Sequence, residues 1–285
     1  MIMKTSTEID SIAAIVGEEN AVRMVAEAGF DAFDFSMFAM GRYDWEEEKM
    51  IVTDHPLQSK DYLPFARKLR RIAEENGIHC NQSHAPFPIY CKEILDFQKR
   101  AIECTAEAGG KICIIHPDNY RSAEENAETY FELLPFAKEH GVKIATENMW
   151  CWDVEEDHAT PAACSDPESF LAHINAVNDP YFVACLDIGH AEMRGLNTNA
   201  PEMIRALGPH LQALHIHDND LHHDSHQIPF SMNIDFKEMM KALREINYSG
   251  YLTLESCEYC KDAEPEKLFS LVSDMAKAAK KLNEL

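Results

Sequence analysis

Positive charge is what this sequence most lacks. Across 285 residues, 26 Lys and Arg stand against 49 Asp and Glu, a formal net charge of −23. Nucleic-acid binders draw much of their affinity from neutralising phosphates with Lys and Arg, so the balance argues against a nucleic-acid partner unless a local basic patch exists. The densest basic stretch, Lys68-Leu69-Arg70-Arg71, reads as the polar face of a helix. Also lacking is any apolar run of the ~20 residues that a membrane span requires. The opening Met1-Ile2-Met3-Lys4-Thr5-Ser6 has no long apolar stretch of the secretory kind. The expectation is a cytoplasmic protein with no membrane partner. The nine cysteines are scattered singly, an odd number without framework spacing, so free thiols in a reducing compartment are expected rather than disulfides. Cys257-Glu258-Tyr259-Cys260 is a lone C-x-x-C with no second pair, a weak signal for zinc or redox use. No G-x-G-x-x-G follows the first strand, which removes the dinucleotide fingerprint.

What is present is a regular alternation of short apolar runs and longer amphipathic ones. Strands are expected near 2–6, 31–36, 78–83, 110–115, 142–147, 181–187, 211–217 and 250–255. Helical spacing is clearest from Asn20 and over Tyr62 to Ala73, with further helices starting near Glu124, Asp166, Asn199, Asp235 and Pro265. Gly29, Gly77, Gly141 and Gly250 each stand just before a strand, where a left-handed residue commonly ends a helix. Asp235 with Glu238 three residues on has the form of a capping box. Eight strand–helix units in one chain imply parallel strands with crossover helices. The simplest arrangement is a single-domain (β/α)₈ TIM barrel over residues 1–285, and an open doubly wound sheet is the alternative. The longer excursions, 37–58, 148–165 and 218–234, all follow strands and so belong at the C-terminal mouth of a barrel.

The strand ends carry the chemistry. The third run leads to Ser83-His84-Ala85-Pro86, the fourth to His116-Pro117-Asp118, and the fifth to Glu147-Asn148. The sixth ends at Asp187-Ile188-Gly189-His190, the seventh at His215-Ile216-His217-Asp218, and the eighth at Glu255-Ser256. An ionisable group buried without a partner costs several kcal/mol or shifts its pKa. Six in succession at one rim therefore call for a common purpose. A divalent cation cancels the repulsion of gathered carboxylates. Glu147, Asp187, His215 and Glu255 form the expected ligand set for one ion, with His217 on the same strand parity as His215. Three carboxylates and an imidazole suit Mn²⁺ or Zn²⁺, with Co²⁺ or Mg²⁺ as further candidates.

Taken in order, His84-Ala85-Pro86, His116-Pro117, Glu147-Asn148, Asp187-Ile188-Gly189-His190, His215-Ile216-His217-Asp218, Asp224-Ser225-His226 and Glu255 resemble the xylose isomerase-like barrels. That superfamily holds sugar isomerases, sugar 3-epimerases and endonuclease IV-type enzymes, and the resemblance runs from Gly29 to Glu255. It implies that Glu147, Asp187, His215 and Glu255 hold the metal, which decides for His215 over His217. It also implies that Glu147 and Glu255 act as an acid/base pair on opposite faces of the substrate. His190 matches a substrate-binding histidine and Asp153 falls near a substrate contact. His84, His116, His217, Asp224 and His226 join these two as expected substrate-binding residues. In the endonuclease branch, positions matching His84, His116, His190, Asp224 and His226 are instead added ligands of a three-zinc site. The chain departs from the family after His226: Gln227-Ile228-Pro229-Phe230 stands where a glycine-containing loop is usual.

The resemblance implies a metal-dependent isomerase or epimerase that takes a sugar or sugar phosphate and abstracts a proton next to a carbonyl. A small-molecule sugar is then the partner, and a homodimer is the family's expectation. A carbohydrate lyase or dehydratase would begin with the same abstraction. The endonuclease reading on abasic DNA is the alternative that the acidic charge opposes. A metal-stabilised binding or regulatory barrel is the non-enzymatic one. Arg121 and Arg194 are candidate grips for a phosphate or carboxylate. Trp150 and Trp152 either wall a pocket or anchor a loop.

Overall fold

The computed structural model describes residues 2–285, so Met1 of the expected 1–285 domain lies outside the described residues. Eight parallel strands form the frame: β1 (Thr5–Thr7), β2 (Ala32–Ser36), β3 (His79–His84), β4 (Ile112–Ile114), β5 (Lys143–Glu147), β6 (Phe182–Asp187), β7 (Leu211–His215) and β8 (Leu252–Leu254). Strands β2 to β7 pair in sequence order as one sheet, and β1 pairs with β8. Two single bridges close the ring, Glu8 to Asp34 between β1 and β2, and Ile216 to Leu254 between β7 and β8. Around each bridge the backbone bonds are few but sound, Asp31 N–H to Thr5 O at 3.0 Å and Glu255 N–H to Ile216 O at 2.9 Å. This is the closed (β/α)₈ barrel.

The helices lie outside it, and their ends follow the local chemistry. Asp166, Asn199 and Asp235 each cap the helix that follows by accepting backbone N–H groups of its first turn, contributing about 1 kcal/mol apiece. The complete capping box is elsewhere, at Ser122 and Glu125. Gly29, Gly77 and Gly141 take left-handed backbone angles, as expected, but Gly250 does not. Its turn places Asn247 in the left-handed region at φ 56°. Gly250 serves instead as a gap, because a Cβ there would lie 2.3 Å from the Tyr248 hydroxyl.

Inside the barrel, packing divides in two. One side is a small apolar cluster of Ile114, Ala145, Val183, Cys185 and Ala213. The other is polar. A bulge at Asn81, where Phe33 pairs with Cys80 but Asp34 with Gln82, turns neighbouring amides to the same network. Asn81 bonds Ser6 and Thr253, and Gln82 donates to Asp34 and to the Leu214 carbonyl. All nine cysteines are free thiols. Among the described residues no helix is long and apolar enough to cross a membrane. The basic stretch near residue 68 is spent on acidic neighbours, with Arg67 on Glu107 and Arg70 on Glu74, both at 2.8 Å.

Candidate active site

The strand ends bring their ionisable side chains together at the mouth in adjoining groups. Glu147 closes β5, and its Oε1 lies 2.9 Å from His215 Nδ1. Asp187 closes β6, and its Oδ1 accepts the His190 backbone N–H at 2.7 Å and His217 Nε2 at 3.1 Å. Glu255, just past β8, sets Oε2 3.6 Å from the same His215 Nδ1. Glu147, Asp187, His215 and Glu255 each present one donor atom within 4.8 Å of the other three. Two similar groups flank this one, His84 and His116 with Glu147 on one side, and His190, His217, Asp224 and His226 on the other.

The histidines are held so that one nitrogen is spent on the protein and the other is aimed inward. Nδ1 of His84 faces the Ala85 carbonyl at 2.9 Å, that of His190 the Asn148 carbonyl at 2.8 Å, and that of His226 the Glu255 carbonyl at 2.8 Å. A carbonyl only accepts, so each of these nitrogens carries the proton, and Nε2 of each is left for the site. His215 is held the other way round: its Nε2 meets Asp34 Oδ2 at 3.1 Å and Nδ1 faces the carboxylates. A ring anchored through its second nitrogen by a carbonyl or carboxylate is the usual state of a metal-binding imidazole.

The carboxylates supply the matching half. Glu147 Oε2, Asp187 Oδ2 and Asp224 Oδ1 are buried oxygens without a hydrogen-bond partner. Each such oxygen carries an uncompensated desolvation cost, which a cation bound by Glu147 and Asp187 would remove for those two. The donor set therefore fits a divalent ion. Electrostatics separates the two glutamates. Burial pushes the Glu255 carboxyl up, with His215 and His226 opposing it only in part. Burial acts on Glu147 too, but His215, His116 and His84 outweigh it and hold that carboxyl well below the carboxylate range. Burial lowers the His116 ring to about 4. For His190 burial is overcome by Asp187 and Asp224, and the ring is pushed up to about 10.

This barrel with its carboxylate and histidine rim can be set beside known proteins. The family model described as xylose isomerase-like TIM barrel matches residues 22–279. The chain belongs to that family. Among its relatives, an uncharacterised protein of Methanocaldococcus jannaschii is 28% identical over 165 residues, covering 55% of this chain and 54% of the relative, about half its length. Among solved structures, a D-tagatose 3-epimerase-like protein superposes with a TM-score of 0.71 at 21% identity, covering 99% of both chains. A 3-keto-D-glucoside 4-epimerase from E. coli gives 0.69 at 16% identity, covering 96% of this chain and 99% of that one.

In this xylose isomerase-like barrel the sequence-derived candidates do not all share one position. A cavity of about 540 Å³ opens at the mouth, and His84, His116, Glu147, His190, Asp224, His226 and Glu255 line it. Asp187 and His215 lie beneath, fully buried. His217 is also fully buried, stacked on His226 and bonded to Asp187, so it stands behind the wall rather than on it. Asp153 is not gathered in. Its carboxylate accepts the Glu155 and Glu156 N–H groups and shapes the turn of the 150–161 hairpin. Arg121 pairs with Asp118 and stays half-exposed. Trp150 and Trp152 do both things expected of them: they line the cavity and pack on Ala159, Met193 and Leu196.

Asp34 escaped the sequence reading, although its signal was legible: a carboxylate flanked by Phe33 and Phe35 in the middle of a run read as a strand. Glu8 escaped because the first strand was set too early in the chain. It is buried and bonded to Ser11, and burial raises its carboxyl to about 7. The departure after His226 also has a structural counterpart. His226 and Phe230 take left-handed φ values of 38° and 73° without being glycine.

Proposed function

We propose that this chain is a metal-dependent isomerase or epimerase of sugars, moving a proton at a carbon next to a carbonyl. The observation that carries the reading is the pair Glu147 and Glu255. They reach the same His215 nitrogen from different strands, at 2.9 and 3.6 Å, and both line the cavity. Two carboxyl groups so placed can serve a substrate carbon from two sides, one taking the proton and the other returning it. Glu147, Asp187, His215 and Glu255 would hold the ion, which when bound supplies positive charge against the carbonyl oxygen and so acidifies the adjacent C–H. Asp34 keeps the His215 ring turned to the site, and the Asn148 side chain ties the ends of β5 and β6 together through both Asp187 backbone groups. The solved epimerases that share the fold support the same class.

The test is proton exchange. Among ketoses, aldoses and glycosides bearing an oxo group, incubated with the manganese-loaded protein in heavy water, at least one should take up deuterium at the carbon beside the carbonyl, read by NMR. No uptake in any sugar, with the metal present, would sink the reading.

One observation favours a second reading. The flanking groups His84/His116/Glu147 and His190/His217/Asp224/His226 could hold two more ions, the arrangement of an endonuclease IV-type phosphodiesterase. Against it, the cavity lining contains no Lys or Arg to meet a phosphate. Three zinc ions per chain together with incision of abasic-site DNA would establish that reading in place of the first.

A further inference from the structure

The mouth of the barrel is lopsided. The loops after β6, β7 and β8 bring His190, Asp224, His226 and Glu255, which with His84, His116 and Glu147 from the ends of β3, β4 and β5 make the ionic half of the lining. The loops after β2, β3, β4 and β5 bring Phe38 and Trp45, then Phe87 and Tyr90, then Tyr120, then Trp150 and Trp152, and all of these line the same cavity. Three of them are open to solvent: Trp45 is 60%, Tyr90 48% and Tyr120 81% exposed. Trp45 and Tyr90 come from different loops, yet stand edge to face with centroids 6.4 Å apart. Large aromatic surface left in water at the rim of a cavity marks a binding face. Aromatic faces pack well against ring-shaped partners, and rigid Trp and Tyr side chains give contact at low entropic cost. The cavity, about 540 Å³, falls in the range of about 300–1,000 Å³ that takes drug-sized ligands, more than one sugar ring fills. With no Lys or Arg in its lining, the cavity lacks the side chains that most often grip a phosphate.

We infer that the site takes an uncharged glycoside, a reacting sugar that carries a second ring, rather than a free or phosphorylated monosaccharide. The inference rests on the isomerase or epimerase reading and names its substrate class. The reacting ring lies on the ionic half and the second ring on the aromatic half, against Trp45 and Tyr90. Because the glycosidic bond occupies the anomeric carbon, the carbonyl that the proton transfer requires is an oxo group on the reacting ring.

The test reads binding apart from turnover. The manganese-loaded, full-length protein is titrated calorimetrically with methyl and para-nitrophenyl glycosides of glucose, galactose and mannose, with cellobiose, with free para-nitrophenol and with the matching sugar phosphates. For the sugar that binds, the para-nitrophenyl glycoside should bind about ten-fold or more tightly than the methyl glycoside. Tighter binding of cellobiose than of methyl glucoside would identify the second ring as a sugar. The double variant Trp45→Ala, Tyr90→Ala should erase the advantage and leave methyl glycoside binding in place. Equal affinities, an advantage that survives in the variant, para-nitrophenol binding as well as its glycoside, or preference for a sugar phosphate would each overturn the inference. Deuterium uptake into free ketoses without any glycoside preference would overturn this inference alone. A glycoside preference without exchange either in free sugars or in the oxo form of the preferred glycoside would overturn the isomerase reading instead, and no carbohydrate binding at all would overturn both.

Discussion

Glu147 is the residue on which most of the chemistry converges, touched by His215 and approached by His84 and His116. Glu147→Gln keeps the shape and removes the charge. It should lower deuterium exchange by about 10²–10⁴-fold while the circular dichroism spectrum stays unchanged. Asp34 acts one step behind. Asp34→Ala frees the His215 ring and should weaken metal binding by about 10–100-fold, measured by competition with a chelating dye. Asp34→Asn, which retains an acceptor for the ring, should fall between the two. Glu8 offers a pH signature. Its carboxyl is raised from the ordinary 4.5 to about 7 by burial, so the folded state holds that proton more tightly than the unfolded one. The stability it contributes is complete below pH 4.5 and lost as pH climbs through about 7. Glu8→Gln should therefore be more stable than the wild type above that range, by about 3 kcal/mol in denaturant unfolding, and match it at the acid end.

At the scale of elements, the strand ends were legible because His and carboxylates stand out against the apolar runs before them. The positions read from 31 to 255 agree with β2 to β8 within a few residues. The first strand was read at 2–6 and lies at Thr5–Thr7. Ile2 and Met3 drew the reading early, whereas the true strand is polar because it faces the hydrogen-bonded half of the interior, with Ser6 on Asn81. The helix Gln98–Ala108 went unread for a related reason. Its buried face is Ala101, Ile102, Cys104, Thr105 and Ala108, at helical spacing but small and weakly apolar. The excursions were placed correctly at the mouth, but not the hairpins within two of them, since the turns that make them depend on Asp44 and Asp153 accepting local N–H groups. The short helix Ile188–Ala191, which follows β6 directly, makes a sharper demand. A Cβ on Gly189 would sit 1.9 Å from the His217 ring. Gly189→Ala should push His217 off Asp187 and Asp224, and cut bound metal measured by elemental analysis, even where the barrel still folds.

For the molecule as a whole, the acidity suits the proposed metal site. A net charge of −23 draws cations toward the mouth and keeps polyanions away. Manganese should raise the melting temperature, by an amount equivalent to about 4 kcal/mol when free metal exceeds Kd about a thousand-fold. EDTA should reverse the gain, and rising NaCl should weaken the metal's affinity through screening. A melting temperature indifferent to both metal and chelator would argue against a resident ion. The ring of strands has a mechanical side as well. Glu147 rides on the six-strand sheet, while Glu255 follows β8 in the two-strand unit, which joins that sheet through one bridge at each edge. The two glutamates thus face each other across a seam, and the bridge of Ile216 to Leu254 sets the register between them. Substitutions at that bridge are expected to retune the span between the two carboxylates without touching either.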